Sequence, residues 1–165
     1  MNGTRVLRHL WIGERAVQRA LPERSFDRIQ QAVHAAERET DGQIRVVVED
    51  SLPLSELLRG TSTRERALEV FSRLRIWDTQ HNSGVLVYLL FADRAVEIIA
   101  DRGVHEKVGA RVWENLCRAM ETEFRGTRFE SGLIDGVAAI GRVLSEHFPS
   151  TGQRRNELPD RPRLI

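Results

Sequence analysis

Four side chains with hard oxygen donors, Asp41, Asp78, Asn82 and Asp101, fall where the apolar pattern predicts turns. Calcium takes roughly six to eight oxygens from carboxylates, amides, backbone carbonyls and water. The set is therefore a candidate calcium site. Its spacing is not that of an EF-hand, and no glutamate closes such a loop. A competing role for Asp78 and Asn82 is hydrogen bonding within turns. Asp101 has two further options, pairing with Arg102 or capping the helix that follows. His105 has the chemistry of a general base or a metal ligand. With one obvious polar partner beside a helix start, it reads as a solvated residue. His34 and His147 lie on helical patterns and read as surface residues.

Other reaction chemistries lack their residues. The chain has no G-x-S-x-G elbow, no C-x-x-C, no H-E-x-x-H, no P-loop and no G-x-G-x-x-G. No nucleotide cofactor is expected. The single cysteine, Cys117, sits in the helical pattern VWENLCRAM and reads as a small buried hydrophobe. Trp11, Trp77 and Trp113 are too scattered to form a stacking platform for nucleic acid.

The elements that must position these residues follow from periodicity. Val85 to Phe91 is an unbroken apolar block, the pattern of a strand covered on both faces. Ala92-Asp93-Arg94 turns the chain into an antiparallel strand over 95–100. Gln43 to Glu49 is the first strand. The capping-box pattern Ser62-x-x-Glu65 opens the intervening helix. Strand, helix, strand in that order makes a βαβ crossover with parallel strands at 43–49 and 85–91. Helical spacing marks further segments at 5–20, near 23–39, near 105–124 and from Phe129 to about 147. Trp11 reads as a docking residue on the first, and Gly42 as a left-handed closure after the second. Helices on both faces of a small mixed sheet give a three-layer α/β/α sandwich. The expected organisation is an N-terminal helical segment over 1–22, an α/β domain over 23–149, and an extended or disordered tail over 150–165 with little to bury.

Strand direction sorts the polar residues. Glu49, Asp50, Asp93 and Arg94 gather at the carboxyl ends of the parallel strands, where open α/β sheets usually bind ligands. Asp41, Asp78, Asn82, Asp101, Arg102 and His105 gather at the opposite edge.

Composition narrows the partners. Twenty-five basic residues balance 24 acidic ones, for a net charge of +1. This gives no global argument for nucleic acid or membrane binding. The apolar runs are far shorter than the ~20 residues a membrane helix needs. A bacterial-type cytoplasmic protein is the simplest expectation.

The order TDGQIRVVVED, a helix, WDTQHNSGVLVYLL, VEIIADRGV and a late F-x-S-G-x-x-x-G-V resembles the TPM domain over roughly residues 23–148. That domain occurs in thylakoid-lumen proteins linked to photosystem II repair and in many bacterial proteins. The resemblance implies an α/β/α sandwich with a Rossmann-like βαβ core. Some relatives are acid phosphatases, some bind calcium, and most have no assigned activity. Many carry a signal peptide and a membrane anchor, neither of which is expected here. They commonly have Gly where this chain has Asp78, and an Asp in the region that reads here His105-Glu106-Lys107-Val108-Gly109-Ala110. The expected function is a non-enzymatic interaction module, tied to membrane-protein or envelope maintenance through an unknown protein partner. A metal-dependent acid phosphatase and a calcium-binding module are the alternatives.

Overall fold

A computed structural model describes residues 3–153 and 155–165. One four-stranded sheet has the order β3-β2-β1-β4. Strand β1 is Gln43–Glu49, β2 Gly84–Leu90, β3 Ala95–Ala100 and β4 Arg163–Leu164. β1 runs parallel to β2 and to β4, while β2 and β3 are antiparallel. Every residue of β1 and β2 is buried, as the unbroken apolar block required.

Helices cover both faces. On one side α3 (Glu23–Glu37), α7 (Ala110–Arg125) and α8 (Phe129–His147) enclose Val46, Val48, Val87 and Leu89. On the other side α4 (Leu54–Arg59) and α5 (Thr63–Arg73) pack over Val47, Leu86, Tyr88 and Leu90. The chain is thus an α/β/α sandwich around a mixed sheet. The capping box is present: the Glu65 N–H donates to Ser62 Oγ at 3.1 Å, and the Ser62 N–H donates to Glu65 Oε2 at 2.8 Å.

Several local expectations are corrected. The first helix divides at Ile12-Gly13 into α1 (Gly3–Trp11) and α2 (Glu14–Ala20). Trp11 points to solvent and is 86% exposed, so it is not a docking residue on the body. The helix near 105–124 divides into α6 (Arg102–Val108) and α7 at Gly109, whose φ of 82° only glycine adopts easily. Gly42 is not left-handed; a Cβ there would lie 3.0 Å from Leu144, so its role is close approach of β1 to α8. Helix α4 was not expected, because six residues are too few for a periodic signal.

The tail departs most from expectation. Leu158 and Asp160 are buried, and Arg163–Leu164 form strand β4. The side chain of Arg45 on β1 donates to the carbonyls of Pro159, at 2.8 Å, and Arg161. Gln43 Oε1 accepts the N–H groups of Glu157 and Leu158 at 2.9 and 3.1 Å. The tail is extended and docked. Its main chain supplies acceptors and donors for polar side chains on β1, which counting apolar residues does not detect.

Candidate functional site

At the starting edge of the parallel strands, the structure brings Asp41, Asn82 and Asp101 into one contiguous rim. The Ser83 hydroxyl donates to the Asp41 carbonyl at 3.2 Å. Asn82 is left-handed, with φ 48°. Its carbonyl lies 2.7 Å from where a Cβ on Gly103 would sit, so glycine there lets this loop meet α6. Asp101 caps α6: Oδ1 accepts the Arg102 N–H at 2.7 Å. Its Oδ2 is buried and meets no hydrogen-bond partner. The Asp41 carboxylate accepts the Thr151 N–H at 3.1 and 3.3 Å. Asp78 lies in an exposed turn, its N–H donating to Arg75 at 2.9 Å.

These donors are only partly suited to a cation. Asp101 Oδ2 is one unpartnered carboxyl oxygen, and the carbonyls of His81 and Asn82 border the same loop. Among the described residues, no three His, Cys, Asp or Glu side chains come close enough to hold a metal ion. Water would have to complete the ~6–8 oxygens that calcium uses.

The opposite edge is occupied by the protein itself. Asp93 accepts from Arg5 Nε at 2.8 Å, from Arg8 Nη2 at 2.9 Å and from His9 Nε2 at 3.1 Å. Helix α1 therefore covers the strand ends where α/β sheets commonly bind ligands. Glu49 is buried beneath, accepting a two-pronged contact from Arg66 (Nε at 2.9 Å, Nη2 at 2.7 Å) and the Tyr88 hydroxyl at 2.5 Å. Burial, and then the negative charge of Glu49, push the Tyr88 phenol far above its ordinary range. The hydrogen bond to Glu49 holds the Arg66 guanidinium charged. Arg94 donates to the Arg125 carbonyl at 3.1 Å. These polar groups are paired with one another or with backbone within the protein.

The third feature is a groove of about 670 Å³ along the free side of β3. Arg64 and Leu68 of α5 form one wall; Trp113, Cys117, Arg118 and Glu121 of α7 form the other. In an antiparallel ladder, alternate residues turn their N–H and C=O away from the neighbour. The Asp101 N–H donates to Gly84, and the Val96 N–H donates to Glu121 Oε1 at 3.3 Å. Hence Val96, Ile98 and Ala100 face the groove. Burial pushes the Cys117 thiol up to about 12, the Ile98 backbone hydrogen bond opposing this, so it stays protonated. Glu97 is also raised, first by burial, with the Arg64 contact at 3.2 Å pulling it down and Glu121 adding to the rise. Trp113 lines the groove and its buried indole N–H meets no acceptor.

Two parts of this arrangement escaped periodicity. The spacing of Arg5, Arg8 and His9 was a usable sign of one polar helix face. The groove had no such sign, because an open strand edge depends on strand order.

A mixed sheet with this strand order and these two helical layers defines a small α/β/α domain. Residues 18–143 match the TPM domain, and the chain belongs to that family. The chain is also similar to the BA42 protein of the psychrophilic bacterium Bizionia argentinensis, solved by NMR. The two share 28% identity at a TM-score of 0.78, over 88% of this chain and 95% of that one. No curated protein sequence matches it. No helix among the described residues is long and apolar enough to cross a membrane.

Proposed function

We propose that this TPM domain is a non-enzymatic interaction module that takes an extended segment of a partner polypeptide along β3. The observation that carries this reading is the groove between α5 and α7, floored by an edge strand with outward backbone at Val96, Ile98 and Ala100. An extended chain adds to such an edge through main-chain hydrogen bonds, and flanking pockets select its side chains. Glu121 covers the Val96 N–H from the surface and is the contact an incoming carbonyl replaces. A protonated, unpaired Cys117 suits a reducing compartment such as the cytoplasm.

The test is selection from a random peptide display library on the immobilised protein, with binding mapped by backbone amide NMR. Shifts centred on Val96, Ile98 and Ala100 are expected. Ala100→Pro removes an outward N–H while sparing the ladder to β2, and should weaken binding about tenfold, the loss of one good hydrogen bond. Shifts confined to another surface would overturn the reading.

One observation supports a second reading, calcium binding by Asp41, Asp78, Asn82 and Asp101: the buried and unpartnered Asp101 Oδ2. A site of this kind should raise the melting temperature at about 1–10 mM calcium. Asp101→Asn should abolish the rise. A metal-dependent acid phosphatase would need the same ion, and phosphate-ester turnover lost in Asp101→Asn would favour it.

A further inference from the structure

Helix α1 is amphipathic the wrong way round for a helix lying on a protein. Its polar residues at i, i+3 and i+4, Arg5, Arg8 and His9, turn inward onto Asp93. Its large apolar residues with the same spacing, Leu7, Leu10 and Trp11, turn outward and are 58%, 61% and 86% exposed. The usual arrangement buries the apolar stripe. The polar contacts fix this orientation, so Trp11 is held in solvent.

Helix α4 packs beside α1 and leaves Leu54 and Leu58, also one turn apart, exposed. These five side chains are most of the large exposed apolar groups among the described residues, with only Leu68 and Trp77 outside the patch. Scattered exposed apolar residues need no explanation, whereas a contiguous patch marks a contact surface.

The charge of α1 and of α2, the next helix along the chain, points to the partner. Helices α1 and α2 hold four arginines against one glutamate, in a chain whose net charge is only +1. Arg15 and Arg19 are exposed, and Arg8 keeps half its side chain in water despite its ion pair. A second copy docking by a two-fold axis would bring this basic fringe against itself, which opposes association. Leucine and tryptophan on one surface, with arginine at its border, is the composition that lies in the interface of an anionic bilayer.

We infer that the α1–α4 face docks the domain on anionic membrane surfaces, with Leu7, Leu10, Trp11, Leu54 and Leu58 entering the headgroup region. Arg8, Arg15 and Arg19 engage lipid phosphates around them. The protein body sits on the polar side of α1, which Asp93 grips. This does not depend on the β3 groove, which lies between α5 and α7, whereas the α1 anchor Asp93 lies in the turn that joins β2 to β3.

The test is co-sedimentation of the full chain with vesicles of phosphatidylcholine alone or with about a quarter phosphatidylglycerol, a composition that attracts basic segments. Binding to the anionic vesicles, weakening as salt rises, is expected. Trp11→Ser should lower the partition coefficient about tenfold or more, since withdrawing one large aromatic from water is worth at least that factor. Arg15→Glu with Arg19→Glu should lower binding to anionic vesicles, and Trp77→Ser should leave it unchanged. All these side chains are exposed, so an unchanged melting temperature verifies folding. Failure to bind anionic vesicles, or equal binding by Trp11→Ser, would overturn the inference. So would self-association in solution that Trp11→Ser abolishes without any vesicle binding.

Discussion

His9 Nε2 donates to Asp93 Oδ1 at 3.1 Å, and the opposite ring nitrogen, Nδ1, accepts the Leu52 N–H at 2.9 Å. The backbone donor fixes the tautomer, leaving the ring proton on Nε2. A buried histidine thus ties α1 both to the 3-10 turn after β2 and to the segment after β1.

His9→Leu leaves the buried Leu52 N–H unpaired and weakens the hold on Asp93. A cost of about 1–3 kcal/mol is expected for the unsatisfied donor. Trypsin should then cut faster after Arg8 and Arg15. Unchanged cleavage and melting temperature would show that α1 is held by Val6 and the arginines alone.

Glu49 and Arg66 form a buried ion pair with Tyr88 as a third member. Glu49→Leu leaves the buried guanidinium with the half-exposed Glu69 as its remaining carboxylate and should cost up to about 3–5 kcal/mol, the usual result of breaking such a pair from one side. Adding Arg66→Met should recover much of the loss, because both charges are then gone. Urea denaturation of the single and double variants measures this. A double variant no more stable than Glu49→Leu would mean that Arg66 serves packing rather than charge.

The strands were legible because their apolar runs carried the signal: β1 and β3 have their expected bounds, and β2 begins and ends one residue early, Phe91 opening the 3-10 turn. The crossover and the Ser62 cap were legible too, since capping depends on residues only three apart. Tertiary polar contacts were not. Arg45, Gln43 and His9 bond to segments far away in sequence, so nothing local marks them. The candidate rim was half legible. Strand direction put Asp41, Asn82 and Asp101 at one edge, but side-chain aim was invisible, and Asp101 spends one oxygen on a helix cap.

Removing residues 150–165 uncovers the β1 edge and the pocket that holds Leu158. A loss of about 2 kcal/mol or more is expected from the buried leucine alone. The bared edge should also promote aggregation. Thermal melting and light scattering of the truncated protein check both. A melting temperature equal to that of the full chain would count against docking.

Glu97 has a folded pKa raised above its ordinary 4.5, chiefly by burial. Its contribution to stability is therefore full below that value and is lost as pH rises through the folded pKa. Glu97→Gln removes this penalty, so the variant should gain on the parent as pH rises from the ordinary value of 4.5 through the folded pKa. Melting curves across that range supply the test. A constant difference would mean that Arg64 fully offsets the burial.

Strand β1 has two neighbours of unequal standing. The Gln43 N–H donates to Ser83, on the β2 side, while the Ile165 N–H and carbonyl bond to Val48 and Asp50 on the other. Alternation turns the amides of Val46, Val48 and Asp50 toward the side of the short strand β4, while the Ile44 N–H is taken by Glu37 Oε1 at 2.7 Å. Fraying of that strand uncovers them without disturbing the β1–β2 ladder. Within one strand, the amides of Val46, Val48 and Asp50 should exchange hydrogen through a cheap local opening, and the odd-numbered ones only when the whole domain unfolds.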